Sequence, residues 1–104
     1  MFLVLYKWHV KPGMDEQFRE AWRRGTRAIT QKYKSYGSRL CRDPDGAFVG
    51  AAEWPSEAIW QSAMAQSMEY DDAEARRMFL DAIVDGGEPV MTLTILDDLL
   101  QRPA

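Results

Sequence analysis

The sequence predicts an α+β domain built on one antiparallel sheet, and three observations carry this prediction. Apolar residues alternate with a period of two near both ends of the chain, which is typical of β-strands. Between these segments, apolar residues recur with helical spacing in two stretches, and the turn signature DPDG lies at 43–46. The predicted order is therefore β, α, β, β, a broken α, and β.

The first strand is predicted over 2–11, FLVLYKWHVK, where one face is apolar throughout. The opposite face begins with two leucines and then turns polar. Because the first half is apolar on both faces, we expect it to be covered on both sides of the sheet. The first face comprises Phe2, Val4, Tyr6, Trp8 and Val10, and the second comprises Leu3, Leu5, Lys7, His9 and Lys11.

The first helix is predicted over 14–33, because Pro12 and Gly13 end the strand and an acidic pair then suits the positive end of a helix dipole. A hairpin follows, with strands over 36–42 and 47–54. Within its turn, Pro44 presets the backbone and Gly46 tolerates a positive φ. The apolar face of the helix comprises Met14, Phe18, Ala21, Trp22, Gly25, Ala28 and Ile29.

The second helical region is predicted in two pieces. Ser56 is the expected N-cap of the first piece, either Asp71 or Asp72 caps the second, and Gly86-Gly87 ends it. The last strand is predicted over 89–96, PVMTLTIL. The inner stripes are Ile59, Trp60, Ala63, Met64 and Met68 in the first piece, and Ala75, Met78, Phe79, Ala82 and Ile83 in the second.

This element order is the split βαβ pattern of the ferredoxin-like fold, and we expect residues 1–104 to form one domain. Helices on one side leave the other side of the sheet to water, where polar residues should alternate with apolar ones. The first and last strands instead project apolar side chains from both faces. A second copy of the sheet would cover the helix-free face, so we expect a homodimer.

Composition and charge exclude several classes of protein. The net charge is −3 with acids and bases interleaved, so no basic stripe is present to bind nucleic acid. No apolar run approaches the roughly 20 residues that span a bilayer, so we expect no membrane partner. The single cysteine, Cys41, cannot form an internal disulfide, and the start of the chain lacks a secretory signal pattern. We therefore expect a cytoplasmic protein.

Two segments and the last apolar strand carry a resemblance to a known family. VKPGMDEQFREAW at 10–22 and YGSRLCRDPDGAFVGAAEWPSEAIW at 36–60 resemble the antibiotic biosynthesis monooxygenase domain family, which forms dimeric α+β barrels. The resemblance implies that fold, and it implies activities that include cofactor-free oxygenation of aromatic compounds. It argues against haem degradation, because the asparagine and tryptophan of that branch correspond here to Tyr6 and Ala63, and its histidine has no counterpart.

The candidate chemistry needs no cofactor, because one histidine and one cysteine far apart in sequence form no metal-ligand cluster or nucleophile pair. A cofactor-free oxygenase deprotonates a phenol and lets the anion react with O₂, so it needs an apolar pocket, a base and a charge stabiliser. We predict His9 as the base, with Tyr6 and Arg39 as further catalytic residues. Two alternatives stay open: His9 lies on the face opposite Tyr6 and would point into the dimer interface if Tyr6 points at the helices, and Arg39 would be a surface or interface ion-pair partner. The predicted pocket residues are Trp8, Trp22, Trp54, Trp60, Met64, Phe79 and Met91.

Three hypotheses remain open from the sequence. The protein is a small monooxygenase for a phenolic or quinone-like molecule, a non-catalytic dimer that binds a small apolar ligand, or a purely structural dimer whose aromatic residues are fully packed. Met and aromatic residues at helical spacing are more often plain core than ligand walls. A cavity of roughly 300 Å³ or more would argue against the third hypothesis.

Overall fold

The computed structural model describes residues 1–101 and contains one four-stranded sheet with three helices against one face. The strand order is β2-β3-β1-β4, and every neighbouring pair is antiparallel. The predicted α+β, ferredoxin-like order is confirmed. The elements are β1 (Phe2–Val10), α1 (Asp15–Tyr33), β2 (Gly37–Arg42), β3 (Phe48–Trp54), α2 (Glu57–Ala65), α3 (Ala73–Ala82) and β4 (Ile83–Thr94).

The period-two pattern of β1 is confirmed by its burial. Val4 and Trp8 are buried on the helix-covered face, whereas Leu3 and Leu5 on the opposite face are half-buried. Since β1 pairs with both β3 and β4, it lies inside the sheet. Alternate residues of β1 therefore place their side chains on opposite faces at the centre of the sheet.

Aromatic packing on the helix-covered face fixes α1 against the sheet. Phe18 is fully buried, and its ring centroid lies 4.9 Å from that of Phe48, 5.0 Å from Phe79 and 5.6 Å from Trp8. These four rings come from α1, β3, α3 and β1. One cluster of rings therefore joins two helices to two strands, with offset and tilted geometries that aromatic pairs prefer.

The predicted helix caps are found in the second helical region. The Ser56 hydroxyl accepts a hydrogen bond from the Ile59 N–H at 3.2 Å, and the Asp72 carboxylate accepts one from the Ala75 N–H at 3.0 Å. Of the two aspartates proposed for the second cap, Asp72 therefore fills the position. The segment between the helices contains two consecutive left-handed residues, Ser67 and Met68.

The end of α3 differs from the prediction. The helix ends at Ala82, Ile83 is already extended, and Gly86 and Gly87 lie inside β4 instead of ending the helix. The physical reason is a close approach between strands, because a Cβ on Gly86 would lie 2.3 Å from the Lys7 carbonyl oxygen. The glycines thus serve the irregular pairing of β4 with β1, which has register shifts on both sides of this point.

The helix-free face of the sheet is lined by short aliphatic side chains. Met91 is 52% exposed and Leu93 is 42% exposed, and they pair in register with Leu5 and Leu3. Such a row of exposed apolar residues across strands is uncommon on a free surface. We call this set the aliphatic patch; it comprises Leu3, Leu5, Val49, Ala51, Met91 and Leu93.

Candidate functional site

A cavity of about 480 Å³ lies between the helix-covered face of the sheet and the helices. Its volume is within the range of small-molecule sites, which argues against a fully packed structural dimer. Most of its wall is aromatic or aliphatic, as apolar ligands require. The apolar side chains that line it include Tyr6, Trp8, Trp22, Ile29, Trp54, Met64, Met68, Tyr70, Phe79, Leu80 and Ile83.

The Trp8 indole spans the sheet beneath this cavity. Its six-membered ring passes over Gly50 of β3, where a Cβ would lie 2.9 Å from the ring, and its Cδ1 edge meets Gly86 of β4 at 2.8 Å from such a Cβ. Two glycines on the strands flanking β1 therefore make room for one flat indole. The ring stacks on Tyr6 with centroids 5.9 Å apart and planes inclined by 16°.

Tyr6 brings the clearest polar group into the cavity. Its hydroxyl accepts a hydrogen bond from the Trp60 indole N–H at 2.9 Å. Burial raises the pKa of Tyr6, and the hydrogen bond from Trp60 offsets part of that rise. The phenol therefore stays protonated near neutral pH, with its acceptor side occupied and its O–H available as a donor.

Two indole N–H groups beside the cavity lack hydrogen-bond partners among residues 1–101. They belong to Trp8, which is 7% exposed, and Trp54, which is 1% exposed. Leaving a buried donor unpaired costs about 1–3 kcal/mol, so native proteins rarely do so without a reason. Both residues line the cavity with other atoms of their side chains, whereas the two N–H groups themselves are buried in the protein.

Charged and hydroxyl side chains occupy particular parts of the cavity wall. Arg76 of α3 and Glu88 of β4 carry the charges among the residues that line it. Tyr70 stands next to Arg76, and its hydroxyl packs against Gly25 of α1, where a Cβ would lie 2.8 Å away. Burial raises the pKa of Tyr70, and the Arg76 guanidinium opposes part of that rise. Hydroxyls are supplied by Thr26, Ser35, Ser38 and Ser67.

The structure brings together most of the residues that the sequence predicted for a pocket. Trp60 is the exception on this face, because it packs on Phe2 with centroids 5.5 Å apart and stands behind Tyr6. It therefore orients a cavity residue and does not form the wall itself. The predicted residues that do line the cavity are Tyr6, Trp8, Trp22, Trp54, Met64 and Phe79.

Three predicted site residues lie on the helix-free face and do not line the cavity. His9 follows Trp8 in β1, so its side chain projects from the opposite side of the sheet, where Nδ1 lies 2.5 Å from the Asp85 carboxylate. Arg39 pairs with Ala51, and Met91 pairs with Leu5, so both share the face of Leu5. Strand alternation already predicts that His9 lies on the face opposite Tyr6, and the structure places Arg39 and Met91 on that same helix-free face, outside the cavity. The catalytic roles predicted for His9 and Arg39 stay predictions.

Sequence reasoning missed Tyr70, Arg76 and Glu88. Tyr70 lies in the connection between α2 and α3, where no periodic pattern constrains it, and Arg76 follows the buried Ala75 but lies outside the apolar stripe of α3. Glu88 follows two glycines that were expected to end a helix. The one available signal was that the short helix α3 carries a cation, Arg76, next to the apolar stripe that contains Phe79.

Within residues 1–101, no group of three or more His, Cys, Asp or Glu side chains has the geometry of a metal site. Cys41 is exposed and makes no disulfide. None of the helices in this described part of the chain is both long enough and apolar enough to cross a membrane.

Comparison with known proteins shows which solved structures share this fold. The chain matches no protein-family model and no curated protein. It superimposes on a structure from Deinococcus radiodurans, provisionally named an antibiotic biosynthesis monooxygenase, with a TM-score of 0.69 and 10% identity over 99% of this chain and 100% of that one. The chain has the fold of these monooxygenase structures.

Two further structures with that provisional name extend the comparison. One from Chloroflexus aurantiacus has a TM-score of 0.68 at 12% identity, covering 93% of this chain and 94% of that one. One from Nitrosomonas europaea has a TM-score of 0.66 at 17% identity, covering 93% and 100%. The monooxygenase fold is also found in an uncharacterised NIPSNAP domain protein from Burkholderia xenovorans, with a TM-score of 0.62. A shared fold at 10–17% sequence identity does not determine which reaction a protein catalyses.

Proposed function

We propose that the protein oxygenates a small phenolic or quinone-like molecule in the cavity, with O₂ as oxidant and no bound cofactor. The observation that carries the proposal is the Tyr6 hydroxyl, held by Trp60 inside an aromatic cavity of about 480 Å³. Aromatic walls suit a flat apolar molecule, and a fixed O–H donor suits the oxygen on which charge develops. The provisional names of the structural relatives agree with this chemistry.

The proposed role of Tyr6 is to stabilise the substrate anion. Because its acceptor side is occupied by Trp60 and burial raises its pKa, Tyr6 acts as a hydrogen-bond donor and not as a base. A donor fixed before reaction costs no reorganisation when negative charge appears on the substrate oxygen.

Glu88 takes the proton-acceptor role in this proposal, because it is the carboxylate among the cavity-lining residues. Removal of the phenol proton makes the ring carbon opposite the oxygen electron-rich. That carbon forms a bond to one atom of O₂ and loses its hydrogen, the second oxygen atom leaves as water, and the phenol becomes a quinone. The ring is oxidised by four electrons and O₂ is reduced by four, so no external reductant is required.

The direct test measures O₂ consumption by the purified protein with a panel of 1-naphthols and phenols that carry hydrogen on the carbon opposite the hydroxyl, without added flavin, metal or nicotinamide. We predict turnover above background and a decrease of about a hundredfold for Tyr6→Phe, as expected when one preorganised donor is removed. Tyr36→Phe is the matched control, because Tyr36 is exposed in the connection before β2. Equal rates for Tyr6→Phe and the wild type would contradict the role of Tyr6.

A second candidate function is binding of the same class of molecule without turnover. The observation that favours it is the sparse acid-base chemistry of the cavity, whose lining includes one exposed carboxylate and no histidine. Saturable binding of naphthols together with background O₂ consumption would favour this alternative.

We further propose that two copies associate through the aliphatic patch. Six apolar residues on the helix-free face support this, since the two most exposed of them, Met91 and Leu93, would leave water on pairing. The same residues in a second copy offer a self-complementary surface, as a two-fold dimer requires. We also propose the cytoplasm as the working compartment, in keeping with a free and exposed Cys41.

A further inference from the structure

Arg76 borders both the cavity and a groove on the outer surface, and it forms no ion pair with the described residues. We propose that Arg76 binds an acidic group of the aromatic ligand there, so that the preferred ligands are aromatic acids. This inference rests on the proposed function, because it assumes that the cavity holds an aromatic molecule, and it names the class of that molecule.

Arg76 stands between the cavity and a groove on the outer surface. The groove is lined by the α2–α3 connection and the exposed side of α3, including Glu69, Arg77 and Asp81. Tyr70, Arg76 and Leu80 line both the groove and the cavity. These three side chains therefore lie between the groove and the cavity, and Arg76 borders both.

The charge of Arg76 is not neutralised by the described residues. Arg24, which packs against the start of α3, binds Asp72 at 2.8 Å and Glu74 at 2.9 Å, and Arg77 lies 3.5 Å from Asp81. No carboxylate among residues 1–101 lies within 4 Å of Arg76. Arg76 interacts with the Tyr70 hydroxyl, but its charge has no counterion among these residues. The remaining planar donors of the guanidinium match a ligand carboxylate.

Glu88, the second charged residue of the cavity wall, favours one orientation of the ligand. Glu88 lies on β4, whereas Arg76 lies on α3, so the two charges come from different walls of the cavity. An acidic group is attracted to Arg76 and repelled by Glu88. A hydroxyl elsewhere on the same molecule is then free to meet Glu88 or the Tyr6 donor. An aromatic hydroxy acid fits this arrangement better than a neutral phenol.

The test compares two probes of one shape, 1-naphthoate and the neutral 1-naphthamide, at pH 7.5. Dissociation constants are measured by calorimetry for the wild type, Arg76→Gln, Arg76→Lys and the control Arg77→Gln. Arg77 is the neighbouring residue and lines the groove but not the cavity. Shifts of the indole N–H resonances of Trp8, Trp22 and Trp54 in ¹⁵N-labelled protein show whether each probe occupies the cavity.

We expect the wild type to bind naphthoate about five- to tenfold more tightly than naphthamide, which is modest because Arg76 is exposed to solvent. Arg76→Gln should remove this preference without changing naphthamide affinity. Arg77→Gln should keep the preference in full and Arg76→Lys should keep part of it, and added salt should reduce it in the wild type.

Equal affinity of the wild type for the two probes, or a preference that survives in Arg76→Gln, would overturn the role of Arg76. In both cases the cavity still binds an aromatic molecule, so the proposed function stands. If neither probe shifts the indole resonances, the proposed function fails together with this inference.

Discussion

The two faces of the sheet are made by alternate residues of the same strands, yet they differ in what they can do. On the helix-covered face, Tyr6 and Trp8 meet large aromatic rings around a cavity. On the helix-free face, Leu5 lies among small aliphatic side chains, and His9 is bound to an exposed aspartate. The first face suits a ligand and the second suits another protein surface. The proposed chemistry therefore uses the residues of β1 that share the face of Tyr6.

The strongest test of this comparison is Gly86→Ala, which disturbs the base of the cavity. A Cβ at Gly86 would clash with the Lys7 carbonyl oxygen and the Trp8 ring, and the backbone there has φ of 122°. We expect a loss of about 4 kcal/mol of unfolding free energy, from backbone strain together with overpacking. Chemical denaturation of the purified variants measures it.

Gly87→Ala is the matched control for that experiment. Gly87 also has a positive φ, 101°, but the nearest atom to an added Cβ is the Trp8 Nε1 at 3.9 Å. Strain without a clash should cost about 1–2 kcal/mol. Equal losses for the two variants would mean that close strand approach does not determine the Trp8 position.

The second prediction concerns the aliphatic patch. Wild-type protein should sediment as a dimer at micromolar concentration, with an interface above roughly 1,000 Å² in total. Leu5→Lys introduces a charge at the centre of the patch, and we expect it to weaken association by about a hundredfold.

Lys32→Leu is the control, because it replaces a charged residue by an apolar one outside the patch. Lys32 is exposed near the end of α1, away from the helix-free face. Lys32→Leu should leave the sedimentation of the dimer unchanged. A wild-type protein that sediments as a stable monomer would contradict the proposed dimer.

The sequence predicts the division into faces well but the site only in part. Alternation along β1 and the DPDG turn are local signals, and each sets burial or pairing within a few residues. The position of the Trp8 indole has no such local signal. It depends on Gly50 and Gly86, which lie far apart in sequence and flank Trp8 only in the folded sheet. Arg76 likewise reaches the cavity through tertiary packing that helical spacing does not specify.

The third prediction tests how the helices are held over the cavity. The hydrogen bond from Arg24 lowers the pKa of Asp72, and the Ala75 N–H adds to this effect. The resulting stability is present above the unfolded pKa of about 3.9, and it is lost as pH falls through the lower folded value. Asp72→Asn keeps a capping side chain but removes the ion pair, so it should lower the melting temperature at pH 7.

The difference between Asp72→Asn and the wild type should shrink as the pH falls below about 4, since the unfolded carboxylate then takes up a proton, and it should be lost once the pH passes the lower folded pKa. Asp71→Asn is the matched control, because Asp71 is the exposed neighbour and makes no ion pair with residues 1–101. A difference that does not change between pH 7 and pH 3 would show that the ion pair does not hold α1 to α3.

The smallest expected effect concerns His9, the residue that the sequence analysis predicts as the base. If His9 were the base, His9→Ala would lower turnover by a hundredfold or more. Its side chain is 53% exposed and pairs with Asp85 on the face opposite the cavity. We therefore expect His9→Ala to change the rate of O₂ consumption by less than about twofold, whereas Glu88→Gln should lower it by a larger factor. The reverse result would place the chemistry on the helix-free face and would reverse the comparison between the two faces.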